Sequence, residues 1–480
     1  MMGLKLVERG VGLFSTIILA RILTPNDFGL VAMAVAVVAL LELMSAFGFD
    51  TALIQRQQTG RAHYDTAWTF NVIFGSAIAV LLLVVAVPAA AFYREPRLEL
   101  ILPVLAISSV VGGFANIGTV AFRKELDFKS EFRFQIAKRM ATFVVTIGLA
   151  LTLRSYWALI AGVVVGTLVS VWISYRLHPF RPRFSLAARD DLFHFSKWIF
   201  VSSFVQFLRS RSTDFILGRT VGSHGLGIYN VAVEIASLPA TELIAPLNRS
   251  VFPAYARLSD DPDQLAQRFG AVFGMICFIG FPVSLGILCV AEPAVALLLG
   301  SQWTEAVPII QIVALSGLAT ALQSNLYIVL LALGKPRAFS LLSAGVLLVS
   351  LPVTVVACMR FGTTGAAAAH CFASVLGLVA IRVLFTRLSG VPFPGMGKYL
   401  LRPLVASTLM VGAVLTTYRW FLEQSERYST FAELVSLCTI GALVYALAIL
   451  ALWAFVGRPD STERKILELL RSWIMKRTTL

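Results

Sequence analysis

Charge is what this sequence has least of. Asp, Glu, Lys and Arg together make up 14% of its 480 residues, against about a quarter in soluble proteins. With 58% of the chain hydrophobic, so few charges cannot cover a water-soluble surface, and water is excluded as the main solvent. The same numbers exclude a disordered or collagen-like chain. Cysteine is scarce as well. The five thiols (Cys277, Cys289, Cys358, Cys371, Cys438) all sit in apolar runs and form no CxxC pair, so neither a disulfide framework nor a zinc site is expected. Of five histidines only His370 lies inside an apolar run, and it reads as a packed polar residue. The phosphate-cradling pattern GxxxxGK[ST] is absent, which argues against ATP as the direct driver. HExxH and GxSxG are absent too, and no loop is long enough for a soluble catalytic domain. An enzyme is not expected, nor any bound cofactor or metal.

What the chain has in abundance is runs of 18 or more apolar residues, each the length of a membrane span. Fourteen helices are predicted, at about 2–22, 28–50, 66–92, 98–121, 135–153, 156–175, 195–219, 225–252, 268–291, 304–333, 338–359, 363–386, 400–421 and 431–456. The first is not a cleaved signal peptide: it carries Glu8 and Arg9, and further spans follow. With an N-terminus inside, 29 of the 40 Lys and Arg residues fall in cytoplasmic segments, eight outside and three within spans. That asymmetry places both termini in the cytoplasm. It also accounts for most of the +14 net charge, so nucleic acid is not expected as a partner. The longest loop, RLHPFRPRFSLAARDDLFH at 176–194, is basic and links two bundles. The basic tail at 457–480 puts Ile466, Leu469, Leu470, Trp473 and Ile474 on one face and reads as an interfacial helix on membrane lipid, with a merely solvated tail as the alternative.

The chain contains an internal repeat. LARILTPNDFGLVAMAVAV at 19–37 aligns without gaps with LGRTVGSHGLGIYNVAVEI at 217–235, matching Leu19 to Leu217, Arg21 to Arg219, Gly29 to Gly227, Ala34 to Ala232 and Val35 to Val233. Each copy joins the first helix of a group to the second. The offset is six spans, so both copies have the same membrane orientation, as in transporters with two lobes around a midplane site. The expected architecture is all-α and polytopic, with about fourteen helices. Two six-helix lobes in parallel pseudo-two-fold repeat surround a central cavity: 1–177, and 195–389 after a linker at 178–194. Two more helices follow at 390–456, then the tail.

The stretches TIILARILTPNDFGLVAMAVAVVALLELMSAFGFDTALIQRQ and RSTDFILGRTVGSHGLGIYNVAVEIASLPATELIAPLNRSVFPAYARL resemble bacterial polysaccharide transporters. These are the Wzx-type flippases of the multidrug/oligosaccharidyl-lipid/polysaccharide superfamily, in their WzxC-like branch. The resemblance runs from residue 3 to about 455. It implies a V-shaped cavity between two lobes, and export of undecaprenyl-diphosphate-linked oligosaccharide from the cytoplasmic to the periplasmic leaflet of a bacterial inner membrane. Such export serves extracellular, capsular or lipopolysaccharide O-antigen synthesis, beside a polymerase and a chain-length regulator. Relatives usually carry a longer basic N-terminus, which would make Met1 a late start. The alternatives are another transporter of the superfamily (a multidrug antiporter or a peptidoglycan-precursor flippase) or a polysaccharide polymerase or ligase.

An anionic head group crossing hydrocarbon calls for polar and basic side chains inside spans, where charge is costly and usually functional. Arg209, Arg211 and Asp214 lie on span 7; Asn230, Glu234, Glu242 and Arg249 lie on span 8. Arg211 and Asp214 are three apart and can pair. Arg209, on the far side of that helix, is expected about 14 Å deep, level with Glu234, as a pair or a shared polar lining. Asn230, Glu234, Ser237, Thr241 and Asn248 form one stripe, interrupted by Pro239 and Pro246, which suggests a kinked cavity wall or interhelical hydrogen bonding. Span 10 offers Ser316, Thr320, Gln323 and Tyr327, with Asn325 nearby. The substrate-binding candidates are Arg209, Arg211, Arg249, Asn230, Gln323 and Asn325. Glu42, Asp214 and Glu234 are candidates for coupling to an H+ or Na+ gradient. Packing is the alternative for each, and the positive-inside rule accounts for Lys138 and Arg139.

Overall fold

The computed structural model describes residues 2–45, 49–55, 59–389, 397–423 and 429–457, together with Arg464. These residues are helical almost throughout, and no strand occurs among them. In chain order the helices are α1 (Met2–Ile22), α2 (Pro25–Glu42), α3 (Phe49–Gln55), α4 (Arg61–Tyr93), α5 (Leu98–Gly113), α6 (Val120–Lys124), α7 (Phe128–Leu153) and α8 (Trp157–Leu177). They continue as α9 (Arg189–Thr220), α10 (Gly222–Pro239), α11 (Ala245–Arg257), α12 (Pro262–Leu298), α13 (Ala306–Ala332), α14 (Pro336–Leu388), α15 (Gly397–Glu423) and α16 (Thr430–Phe455). The all-α membrane class is thus as expected. Among the described residues nine helices are long and apolar enough to cross a membrane, or eleven if each of two bent pairs is one span. Within α1 the stretch Gly10–Ile22 is apolar. The 53-residue α14 counts once, yet it breaks at Gly362, whose φ of 57° and ψ of −132° are not helical. A Cβ on Gly365 would lie 2.0 Å from the carbonyl oxygen of Ala357. A continuous helix would hold those residues about 12 Å apart, so the chain doubles back at Gly362 into two arms, where two segments were predicted. The expected tail lies outside the described residues apart from Gly457 and Arg464.

The chain divides into two compact units, Met1–Asn230 and Val231–Leu480. In the first, α4 packs on α5, α7 on α8, α5 on α8 and α9 on α2. The turns predicted to lie outside gather at one end. Thr24 caps α2, and the Asp27 carboxylate returns to Thr24 while its Oδ1 accepts from the Tyr156 backbone N–H at 3.1 Å. Glu95 is gripped by Arg97 at 2.7 and 2.8 Å, and this hydrogen bonding holds its carboxyl below the usual range. The Ser223 hydroxyl lies 3.2 Å from Asn26 Oδ1 and 3.5 Å from Glu95.

The two copies of the repeat meet at this end. A Cβ on Gly29 would lie 1.7 Å from the Ser223 carbonyl oxygen, and one on Gly227 would lie 1.9 Å from that of Pro25. Pro25 and Ser223 occupy the same place in the aligned stretches. The contact is therefore reciprocal, as across a two-fold axis: each copy's glycine receives the other's backbone. Further along, α10 ends in a π-helical segment, Ala240–Ile244, with a 40° bend into α11. Pro239 and Pro246 flank it, and proline is a usual cause of such a break.

In the second unit α13 packs on α12 and α14, and the α15–α16 pair leans on α12. Phe269, Phe273 and Phe385 form its aromatic core. Pro282 has no N–H for the Phe278 carbonyl, and the Tyr445 hydroxyl from α16 donates to that oxygen at 2.7 Å.

Replacing Gly29 by Ala should destabilise the protein by about 1–3 kcal/mol, because the added methyl must push α2 off α10. Gly148, with nothing within 4 Å of its Cβ position, is the control. Its alanine variant should melt at or slightly above wild type in detergent, and equal melting of both variants would refute the close crossing.

Candidate functional site

The first unit contains an open cavity of about 860 Å³, within the range of small-molecule sites. Its walls come from five helices, with Glu42 on α2, Asn71 on α4, Ser108 and Ser109 on α5, Thr167 on α8, and Gln206, Ser210 and Arg211 on α9. Hydroxyls, amides and charges on membrane-spanning helices are tolerated where they line a polar space or pair with one another, and both occur here. Arg211 Nη1 donates to Asp214 Oδ2 at 3.1 Å, the i,i+3 pair the sequence predicts. The carboxylate is nearly sealed, at 5% side-chain exposure, while the guanidinium is 37% exposed. Arg211 is thereby anchored at one nitrogen and presented to the cavity by the rest of its fork. Asn230 stands beside the Asp214 carboxylate. Glu42 lines the same cavity from α2 and is exposed, and Arg211 is the nearby charge that acts on it. Ser108 Oγ is buried and has no partner among the described residues.

The other predicted residues lie elsewhere. Arg209 and Arg249 are exposed, on α9 and α11. Arg209 falls in the first unit and Glu234 in the second. The span-8 stripe is divided. Ser237 and Thr241 donate to carbonyls of their own helix, those of Glu234 and Ser237. Asn248 donates to Ser324 at 2.7 Å and accepts from Asn325 at 2.9 Å. Asn325 is fully buried, with the Tyr255 hydroxyl 3.5 Å away, so this group ties α11 to α13. Gln323 lies against Gly377 of α14, and Thr320 donates to Ser374 at 3.4 Å. Among the described residues no three His, Cys, Asp or Glu side chains stand together as a metal site.

Sequence reasoning passed over most of the cavity wall. Ser203, Gln206 and Ser210 line it from α9. Their three- and four-residue spacing puts them on one helical face, a signal the neighbouring charges overshadowed. Ser108 and Ser109 are single polar residues in an apolar run, and nothing in the sequence says which way they point.

A helical membrane unit around a charged cavity has counterparts among solved membrane proteins. The fold matches that of a lipid II flippase MurJ in an inward closed conformation with a TM-score of 0.78, over 94% of this chain and 98% of that one at 14% identity. It matches an inward-facing multidrug resistance MATE family transporter of the MOP superfamily with a TM-score of 0.60, over 79% and 95% of the two chains at 15% identity. The chain belongs to the polysaccharide biosynthesis protein family, whose profile matches residues 18–308. It is 27% identical over 317 residues to the lipopolysaccharide biosynthesis protein WzxC of Escherichia coli, a match spanning 64% of each chain and so just under two thirds of that relative's length. It is 25% identical to the teichuronic acid biosynthesis protein TuaB of Bacillus subtilis, over 84% and 86% of the two chains. The succinoglycan biosynthesis transport protein ExoT of Rhizobium meliloti is 26% identical over 301 residues. The resemblance read from the two N-terminal copies is borne out at the level of family.

Arg211→Ala strips the Asp214 carboxylate of its cation and should cost about 2 kcal/mol, less than a fully sealed pair because the guanidinium is partly open. Adding Asp214→Asn should restore most of the melting temperature, and a double variant no more stable than the single one would show that the pair carries no coupling.

Proposed function

We propose that this protein flips lipid-linked oligosaccharide across the membrane. The observation that carries the reading is the chamber of hydroxyls, amides and an anchored arginine inside a family of polysaccharide biosynthesis proteins. A glycan is a dense array of hydroxyls that both donate and accept, and serine, threonine, asparagine and glutamine side chains match it group for group. The names of the relatives, a transport protein for succinoglycan among them, support a transporter rather than an enzyme. The substrate is undecaprenyl-diphosphate oligosaccharide, moved from the cytoplasmic to the periplasmic leaflet of the inner membrane for surface polysaccharide or O-antigen synthesis. Both termini are cytoplasmic, and two six-helix lobes, 1–177 and 195–389, give alternating access to the chamber. The polyprenyl tail stays in lipid while the head group crosses, so no bond is made or broken and no cofactor is needed. Arg209 and the free part of Arg211 meet the diphosphate, with Arg249, Asn230, Gln323 and Asn325 on the path beyond. Glu42, Asp214 and Glu234 couple the cycle to an H+ or Na+ gradient. A polymerase and a chain-length regulator take the product.

Cells lacking the gene, with the initiating glycosyltransferase intact, should accumulate complete lipid-linked repeat units and lose surface polysaccharide. Arg209→Ala, and Arg211→Ala in the Asp214→Asn background, should insert at wild-type level yet export below about a tenth of wild-type polymer. Shortened surface chains without accumulation would point instead to a polymerase or ligase. Normal export by both variants would remove the arginines from the path.

A further inference from the structure

The segment between α8 and α9 reads in sequence as a plain linker, but it is fastened down along its length. Its backbone N–H groups at Arg183, Ser185 and Ala188 donate to Asp65 Oδ1, Thr69 Oγ1 and Thr66 Oγ1 on the first turns of α4, at 2.9, 3.0 and 3.2 Å. Those three acceptors are buried. Arg61 donates to the Arg181 carbonyl at 3.0 Å, and Asn116 to that of Phe180 at 2.8 Å. Trp68 and Tyr64 pack against Phe184 and Phe180, with ring centroids 4.9 and 5.6 Å apart. A chain held through its backbone like this presents its side chains as a fixed array.

That array has one electrostatic sign. Between Val171 and Arg189 the sequence holds no carboxylate, while Arg176, Arg181 and Arg183 are exposed. The Arg181 guanidinium is braced by the carbonyls of Tyr175, His178 and Phe180 at 2.9 to 3.1 Å, contacts that orient its charge without cancelling it. Beside the arginines stand large exposed apolar groups, with Trp172 at 60%, Phe184 at 68% and Leu186 at 45%. Trp172 lies one turn before the end of the α8 span, and the Arg176 guanidinium sits 5.2 Å over its ring. Tryptophan and arginine in this relation mark the depth of lipid head groups. A soluble partner would have to displace lipid from Trp172 to reach the whole array.

We propose that residues 172–186 form a built docking surface for acidic phospholipids in the leaflet at this end of the helices. Arg176, Arg181 and Arg183 lie on head-group phosphates, and Phe184 and Leu186 enter the acyl boundary. The inference is independent of the transported substrate. Cationic residues at an anionic surface add their attractions, but a rigid array should also hold particular lipids through extraction.

The test is native mass spectrometry of the full chain released from nanodiscs holding equal amounts of phosphatidylglycerol and phosphatidylcholine. The wild type should retain phosphatidylglycerol preferentially, and Arg176→Gln/Arg183→Gln/Phe184→Ser should lose roughly fivefold or more of that preference. Lys129→Gln/Arg133→Gln, which removes two charges from the first turns of α7, should keep it. Equal losses in the two variants, or no preference in the wild type, would overturn the proposal. A nitroxide on Phe184→Cys, in a background with Cys371 and Cys438 replaced by serine, covers the case of a misfolded triple variant. In bilayers it should relax more with oxygen than with a water-soluble nickel chelate, and the reverse order would overturn the proposal equally.

Discussion

Hydrocarbon offers no hydrogen bonds, so every polar group that a helix cannot satisfy by itself must find a partner on another helix. Much of the tertiary structure follows from that constraint. Pro282 leaves the Phe278 carbonyl of α12 without a donor, and the Tyr445 hydroxyl supplies one from α16; the C-terminal pair is thereby registered against α12. Asn248 and Asn325 hold α11 to α13 in the same way. Asp65, Thr66 and Thr69 fasten a whole segment of chain to α4. Apolar surface specifies much less, since lipid is as apolar as leucine. Phe455 at 91% exposure and Leu341 at 75% carry no penalty in such a solvent.

The chamber of the first unit is where the constraint is left open. Asp214 is paired with Arg211, but Arg211 keeps part of its fork uncovered, Glu42 lines the same cavity, and Ser108 has a hydroxyl with no partner among the described residues. Elsewhere the Asn248 amide and the Phe278 carbonyl find partners on a neighbouring helix. A wall of hydroxyl, amide and charged side chains is suited to an occupant that brings polar groups of its own.

Class and family were legible because they rest on properties carried by runs of residues: apolar length, the placement of basic loops, and the repeat. The Arg211–Asp214 pair was legible because both partners lie on one helix, where spacing alone fixes proximity. Prolines 239 and 246 announced the bend before α11 for a similarly local reason. The polar stripe of span 8 was harder. A π-helical segment at Ala240–Ile244 interrupts the α-helical spacing on which that stripe rests. The segment at 178–188 reads in sequence only as a basic linker, because its partners lie some 120 residues earlier, on the first turns of α4. Its basic composition suited a loop just as well. Ser108 and Gln206 stayed hidden because direction into a cavity is a tertiary property.

The repeat contact shows what symmetry fixes and what it leaves free. Gly29 and Gly227 each receive a backbone carbonyl at less than a methyl's distance, and the two carbonyls belong to equivalent positions. Neither copy can change alone there, because a side chain on either glycine meets backbone that cannot yield. The flanking residues are under no such obligation, and they have diverged. Copy one begins α2 with Thr24 and Asp27, a reciprocal cap tied on to Tyr156. Copy two has Gly222 and Gly225 in those places, with Gly222 at a φ of 81°, and so has no side chains with which to build that cap. The start of α10 is instead held from outside, by Asn26 of the first copy and by Glu95, both reaching Ser223. The crossing is symmetric while its support is not: α2 starts on its own cap, and α10 starts on side chains lent by its neighbours.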